Sequence, residues 1–368
     1  MNLNYKEISN DSSHEELEGI ENNPTGWGDY PIDDFLIRTE SRTIFDIIRR
    51  IDQENYILNP DFQRDFIWKE DKQSKLIESV IMRIPLPVFY LAEDDQGKMI
   101  IVDGLQRLST FYRFLKDESR LKLPEREELN KNKFSELPNK FKNRIEDCNL
   151  TLFIIDSKVP EPARLDIFER VNSGVPLTRQ QMRNCLYMGK GTRFLKELAS
   201  EEGFKKATGN SLNADTMRDR EFVNRFCAFQ ILGVEEYHND MDSFLANALK
   251  NINVMNDSKL EELAREFRLG LDNNFKLFEE HAFRKFKPGQ TQRSVLNAAY
   301  WDVMSTGFSK YEWSEIEPKA PRIWKAFIDL IQDAEFSRAI TSGTNNTDRV
   351  KTRFKLATEL VEKHLLDD

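Results

Sequence analysis

The sequence predicts an α+β protein in which a small mixed sheet with its own helices precedes an all-α region. Three observations predict it. Two apolar runs, Val88-Phe-Tyr-Leu-Ala92 and Met99-Ile-Ile-Val102, flank a polar turn with Gly97, the pattern of a hairpin. A third such run, Thr151-Leu-Phe-Ile-Ile-Asp156, reads as a further strand. From about Pro160 onward every strong apolar repeat has a helical period. The expected organisation is a disordered or loosely packed segment over 1–34, a sheet-bearing domain over 35–158 and a helical domain over 159–368.

The elements follow in chain order. Ile44, Ile47 and Ile48 recur at helical spacing between Thr43 and Ile51. Asp71 is expected to cap a helix whose apolar face is Leu76, Ile77, Val80, Ile81 and Ile84, stopped by Pro85 and Pro87. After the hairpin, Asp103-Gly104 ends the strand. Leu105, Leu108, Phe111, Tyr112 and Leu115 then mark one face of a helix. Thr178 with Gln181, and Ser258 with Glu261, have the spacing of capping boxes. Apolar stripes recur around 220–232, 259–280, 292–304, 322–331 and 350–366.

The bulk chemistry narrows the function. Apolar residues at 39% and 26 Phe suit a globular core, and no apolar run reaches the length of a membrane span. The polar, acidic start lacks the features of a secretion signal, so a cytoplasmic location is expected. Cys148, Cys185 and Cys227 and the four His are scattered, which argues against a zinc site and for reduced thiols. A net charge of −9 disfavours indiscriminate coating of nucleic acid but leaves room for a local basic cleft among 54 Lys and Arg.

Four segments carry chemistry. The first is Ile100-Ile-Val-Asp-Gly-Leu-Gln-Arg-Leu-Ser-Thr110, where a strand turns at once into a helix. Unpaired amides and the helix dipole favour an anion at such a turn. Gly104 permits close approach, and Arg107 can fork onto a phosphate. Asp103 can hold a metal ion, orient water or cap the helix; a capped helix with a surface arginine is the plainer reading, which local physics alone favours. The second is Asn59-Pro-Asp-Phe-Gln-Arg-Asp-Phe-Ile-Trp68, whose aromatics can anchor a loop while Gln63 and Arg64 face a cleft, or can stack on bases. In the third, Phe168 to Thr178 with Arg179 and Arg183, two helix ends meet near Arg170, Asn172 and Gly174. That corner suits a lid over a phosphate or a plain helix-loop-helix bend. In the fourth, Arg218 and Arg225 are expected to pair with Asp219 or Glu221. No P-loop, nucleophile elbow or Cys/His pairing occurs.

Together these segments resemble the N-terminal domain of GmrSD-type restriction endonucleases, a group with a ParB/sulfiredoxin-like core. The resemblance spans about residues 35 to 365. A Pro…Phe/Tyr-Gln-Arg…Trp motif is matched by Pro60, Phe62, Gln63, Arg64 and Trp68. An Asp-Gly-Gln-Gln-Arg-x-Thr-Thr motif is matched by Asp103, Gly104, Gln106, Arg107 and Thr110. A Phe-x-Arg-x-Asn-x-Gly…Leu…Glu-x-Arg motif is matched by Phe168, Arg170, Asn172, Gly174, Leu177 and Arg183. The resemblance implies a ParB-like nucleotide-binding domain over 35–158, NTP hydrolysis with Mg²⁺, and a role in restriction of phage or foreign DNA. It places Asp103, Gln106, Arg107 and Gln63 in catalysis, with Asp103 also on the metal. Arg64, Gly104, Ser109, Thr110, Arg170, Asn172, Gly174 and Arg183 would contact the nucleotide. Leu105, Ser109 and Gln181 depart from the family's Gln, Thr and Glu, which makes binding the firmer expectation and hydrolysis the weaker. The chain has no room for the usual HNH domain before Asp368, so any cutting is expected to need a separate nuclease subunit or a site that the motifs do not reveal. DNA is a further expected partner, and self-association is compatible with the sequence. The competing reading is a DNA-binding or modification-sensing module without chemistry of its own.

Overall fold

The computed structural model describes residues 17–18, 37–58, 68–94, 96–171, 177–287, 289–290 and 292–365. Gln63, Arg64, Asn172 and Gly174 lie outside the described residues, as does most of 1–34. The chain divides into two compact units. The first runs up to Met188; the second begins at Gly189 and includes Leu17 and Glu18. Helices 161–171 and 179–186, expected with the helical domain, group instead with the sheet, because both pack against one of its strands.

In the first unit, five strands form one mixed sheet: β1 (Ile37–Thr43), β2 (Tyr56–Ile57), β3 (Phe89–Glu93), β4 (Met99–Asp103) and β5 (Asn149–Ile155), in the order β1-β5-β3-β4-β2. The hairpin forms as expected. β3 and β4 pair antiparallel, with a register shift between Tyr90 and Leu91, and Tyr90 ends opposite Asp103. β5 runs parallel to β3, and β2 parallel to β4. β1 pairs antiparallel with β5 along its whole length.

Helices α1 (Ile44–Asp52), α2 (Glu70–Ile81), α3 (Leu105–Leu115), α4 (Asn139–Glu146), α5 (Glu161–Val171) and α6 (Arg179–Leu186) belong to this unit. Thr43 caps α1, its hydroxyl accepting from Asp46 N at 3.1 Å. Asp46 in turn accepts from Arg42, Arg49 and Arg50 at 3.0, 2.6 and 3.0 Å. Burial works against its ionisation, but those three hydrogen bonds outweigh it and hold the carboxyl down at about 2. Asp71 does not cap α2. The cap position is Lys69, which contributes no side-chain bond, and Asp71 sits in the first turn, where its charge still suits the dipole. Ile84 lies past the end of α2 and is exposed rather than part of its apolar face. Phe89, Leu91, Leu108, Phe111, Leu152 and Ile154 meet in the core between sheet and helices.

The second unit is helical, as expected. Its helices are α7 (Lys190–Ser200), α8 (Glu202–Thr208), α9 (Arg218–Ile231), α10 (Met241–Val254), α11 (Asp257–Phe278), α12 (Ala298–Gly307), α13 (Trp313–Ile316), α14 (Ala320–Gln332), α15 (Ala334–Thr341) and α16 (Thr347–Leu365). Asn256, not Ser258, caps α11, accepting from Lys259 N at 2.9 Å. Fully buried Trp301 is the centre of an aromatic cluster with Phe204, Phe222, Phe267 and Phe283. Glu18 is docked on this unit: its N–H donates to Leu296 O at 3.0 Å, and its carboxylate pairs with Lys285. Among the described residues no helix is long and apolar enough to cross a membrane.

Candidate functional site

The corner between β4 and α3 is built around Gly104. Its φ of +98° lies in the left-handed region that favours glycine. A Cβ there would overlap the Phe89 ring and lie 3.2 Å from a guanidinium nitrogen of Arg107. Gly104 therefore serves two needs at once, the turn into the helix and the close approach of a ring. Asp103 does not cap α3; the cap residue is Gly104, and no side chain accepts from the first turn.

Asp103 is instead tied to Arg107, one turn on. The guanidinium donates to Asp103 Oδ2 at 2.9 Å, to Pro87 O at 2.5 Å and to Val88 O at 3.0 Å, and it lies over the Phe89 ring, 4.1 Å from its centroid. Arg107 is thus no surface arginine. It is 8% exposed, with three of its five N–H groups spent inside the fold. Burial pulls its pKa below the usual arginine value and Asp103 opposes that pull; the group stays charged at neutral pH. The Asp103 side chain keeps 36% of its surface, and its second oxygen has no hydrogen-bond partner among the described residues.

Gln106, in the same turn, reaches the second motif. Its Oε1 accepts from Trp68 N at 3.1 Å, while Gln73 Nε2 donates to Trp68 O at 2.6 Å. Both main-chain groups of Trp68 are thereby held by side chains, one from α3 and one from α2. Thr110 is buried, its hydroxyl donating to Gln106 O at 2.7 Å. The Ser109 hydroxyl is buried without a partner.

The third motif approaches through its helices. Both α5 and α6 pack against β4, the strand that ends in Asp103. The capping box forms as expected: Thr178 Oγ1 accepts from Gln181 N at 3.2 Å, and Gln181 Oε1 accepts from Thr178 N at 2.7 Å. Gln181 fulfils the cap with an amide where the family motif has a carboxylate. Arg183 is 1% exposed and donates to Gln180 Oε1 at 3.1 Å, so it faces the interior of the unit, whereas Arg170 is exposed on the last turn of α5. Arg179 pairs with Asp166 at 2.7 Å.

Several participants escaped sequence reasoning. Phe89 and the carbonyls of Pro87 and Val88 receive Arg107, and Gln73 completes the hold on Trp68. Arg164 on α5 is 5% exposed, donates to Glu93 O at 3.1 Å and leaves its Nε unpartnered. No local pattern marks Phe89, the two carbonyls or Arg164, since each meets a partner far along the chain, and Gln73 reaches only five positions back. In the second unit, Arg218 pairs with Glu221 at 2.6 Å as expected. Arg225 does not pair locally: it forks onto Asp302 at 2.8 and 2.7 Å, and Arg353 donates to the same carboxylate at 2.8 Å. All three are at most 2% exposed.

The first unit is an α+β module in which Trp68 and the helices that flank the third motif meet the strand and helix that carry the first. Residues 44–188 match the family described as GmrSD restriction endonuclease, N-terminal domain. Those residues are consistent with membership of that family, and the match stops where the first unit stops, at Met188. No curated protein and no solved structure matches the chain.

Proposed function

We propose that the first unit binds a nucleoside triphosphate at the Asp103 corner and serves as the nucleotide-using component of a bacterial restriction system. The observation that carries the reading is the half-engaged carboxylate: one Asp103 oxygen is fixed by Arg107, and the other is unpartnered at the start of a helix. Mg²⁺ is commonly held by one or two carboxylates together with substrate phosphates, so this donor fits a metal that arrives with the nucleotide. Bound there, Mg²⁺ would neutralise charge on the phosphates during slow cleavage of the β–γ bond. Arg107 holds Asp103 in place rather than offering a fork to the phosphate. The first-turn amides of α3 favour the anion. Gln63, Arg64, Arg170, Asn172 and Gly174 remain the candidates for further phosphate contacts on the strength of the family motifs, whereas buried Arg183 would act through its neighbours, and Gln63 or Gln106 is the candidate for placing water.

Calorimetry on the whole chain with each of the four NTPs and Mg²⁺ tests this. Binding of at least one NTP is expected, with a loss of about tenfold or more in Asp103→Asn. Absence of binding by the parent protein to all four would sink the proposal. In a restriction setting, DNA is the target, and a nuclease subunit is the partner that cuts it.

A further inference from the structure

A second site lies in the same unit. A cavity of about 800 Å³ opens between the start of α2, the C-terminal half of α3 and the segment 117–133. Six basic side chains line it against three acidic ones, Glu70, Asp117 and Glu118, in a chain whose net charge is −9. Two of the cations are engaged: Arg120 with Glu136 at 2.9 Å and Lys122 with Asp71 at 3.1 Å. The other four, Lys69, Arg113, Lys131 and Lys133, have no carboxylate within ion-pair distance among the described residues. Lone cations gathered around one groove repel each other, so their clustering calls for a polyanion to offset it.

The segment that carries Lys131 and Lys133 is tied together by hydrogen bonds. Leu121 N donates to Asn132 O at 3.0 Å and Lys131 N to Leu121 O at 2.7 Å, closing the segment on itself. Arg120 donates to Lys131 O at 2.7 Å, and Leu123 N to Asn130 Oδ1 at 3.0 Å. Leu121, Leu123 and Leu129 are buried in the core of the unit. The ammonium groups are therefore displayed on a fixed frame, which lowers the ordering cost of binding. Trp68 also lines the groove, its main chain held by Gln73 and Gln106.

We propose that this groove binds the sugar–phosphate backbone of DNA, with Arg113, Lys131 and Lys133 as the principal phosphate contacts. The choice of DNA rests on the restriction reading, whereas the polyanion chemistry does not depend on the nucleotide corner. α3 joins the two sites: Gln106 belongs to the corner, and Thr110 and Arg113 face the groove. DNA seated in the groove would touch the same helix that begins at Gly104.

The test is fluorescence anisotropy of a labelled DNA duplex with the full chain over a range of salt. The variant is Arg113→Gln with Lys131→Gln and Lys133→Gln. It is compared with Lys325→Gln, Lys355→Gln and Lys363→Gln together, which changes net charge equally on the second unit. Each phosphate left without its cation should flatten the plot of log Kd against log salt by about 0.9, and affinity at physiological salt should fall about tenfold or more in the groove variant alone. Unchanged circular dichroism and unchanged NTP binding in that variant would show that neither fold nor corner was disturbed. Equal binding by both variants, no binding of duplex by the parent, or competition by polyglutamate as strong as by DNA would each overturn the assignment. A protein that binds no NTP yet shows groove-dependent DNA binding would remove the nucleotide proposal and leave this one standing.

Discussion

Each unit contains an arginine–aspartate pair, and the two pairs are built for different ends. In the second unit, Asp302 is sealed from solvent and receives both Arg225 and Arg353, so both of its oxygens are committed. In the first, Arg107 is nearly as buried, but its partner Asp103 is more than one-third exposed and uses one oxygen only. A pair closed on both sides fixes helices to one another, as Arg225 of α9, Asp302 of α12 and Arg353 of α16 do. A pair closed on the arginine side alone holds a carboxylate still while leaving it able to meet a ligand.

That contrast can be broken most directly by removing the two carboxylates in turn. Asp302→Asn strands two arginine charges in the interior and should cost about 3–5 kcal/mol in urea unfolding. Asp103→Asn should cost less, about 1–2 kcal/mol, since buried Arg107 keeps the carbonyls of Pro87 and Val88 as acceptors and an asparagine oxygen can still receive it. Comparable losses would mean that Asp103 is as structural as its counterpart.

The next effect in size is at Gly104. Gly104→Ala adds a methyl that overlaps Phe89 and forces an alanine to a positive φ, a change expected to cost about 2 kcal/mol or more in thermal or chemical unfolding. Gln106→Ala should be milder, about 1 kcal/mol, because it deletes a single hydrogen bond to Trp68 N. Amide exchange sharpens that case: the Trp68 N–H should exchange faster in the variant, while the α9 and α12 amides of the second unit stay protected.

The smallest effect concerns acid. Asp46 has a folded pKa of about 2, below an unfolded value of about 4. Its three arginine partners therefore stabilise the fold above pH ~4, and that contribution disappears as the pH drops toward 2. The gap in melting temperature between the parent and Asp46→Asn should narrow over that interval. A constant gap would show that the arginines do not act through the charge.

The sequence carries the regular elements well where one face is apolar and the run is local. The β3–β4 hairpin, α1, α3 and the stripes of α9, α11, α12, α14 and α16 are all visible as periodicity. β1 is not, because Ile37-Arg-Thr-Glu-Ser-Arg-Thr43 is an edge strand with half of its side chains toward solvent, and it pairs with a strand more than one hundred residues away. Cap positions slip by two residues at α2 and α11, where Lys69 and Asn256 take places that the spacing assigns to Asp71 and Ser258. At the candidate site, the motif spacing singles out Asp103, Gly104, Gln106 and Arg107 as a group. What each does is hidden. The carbonyl acceptors of Arg107 lie 19 and 20 positions back, the partner of Gln106 lies 38 back, and that of Arg225 lies 77 ahead. Chain distance of that kind has no local signature.

The close approach of Gly104 and Phe89 has an evolutionary consequence. The two positions are mutually exclusive in bulk, so residue 104 cannot drift to a larger side chain unless residue 89 first gives up its ring. Without the ring, Arg107 would also be stripped of its stacking platform and its hold on Asp103 would loosen. Three positions must then change in concert or not at all, and the loop between strand and helix inherits the slow pace of the hydrophobic interior beneath it.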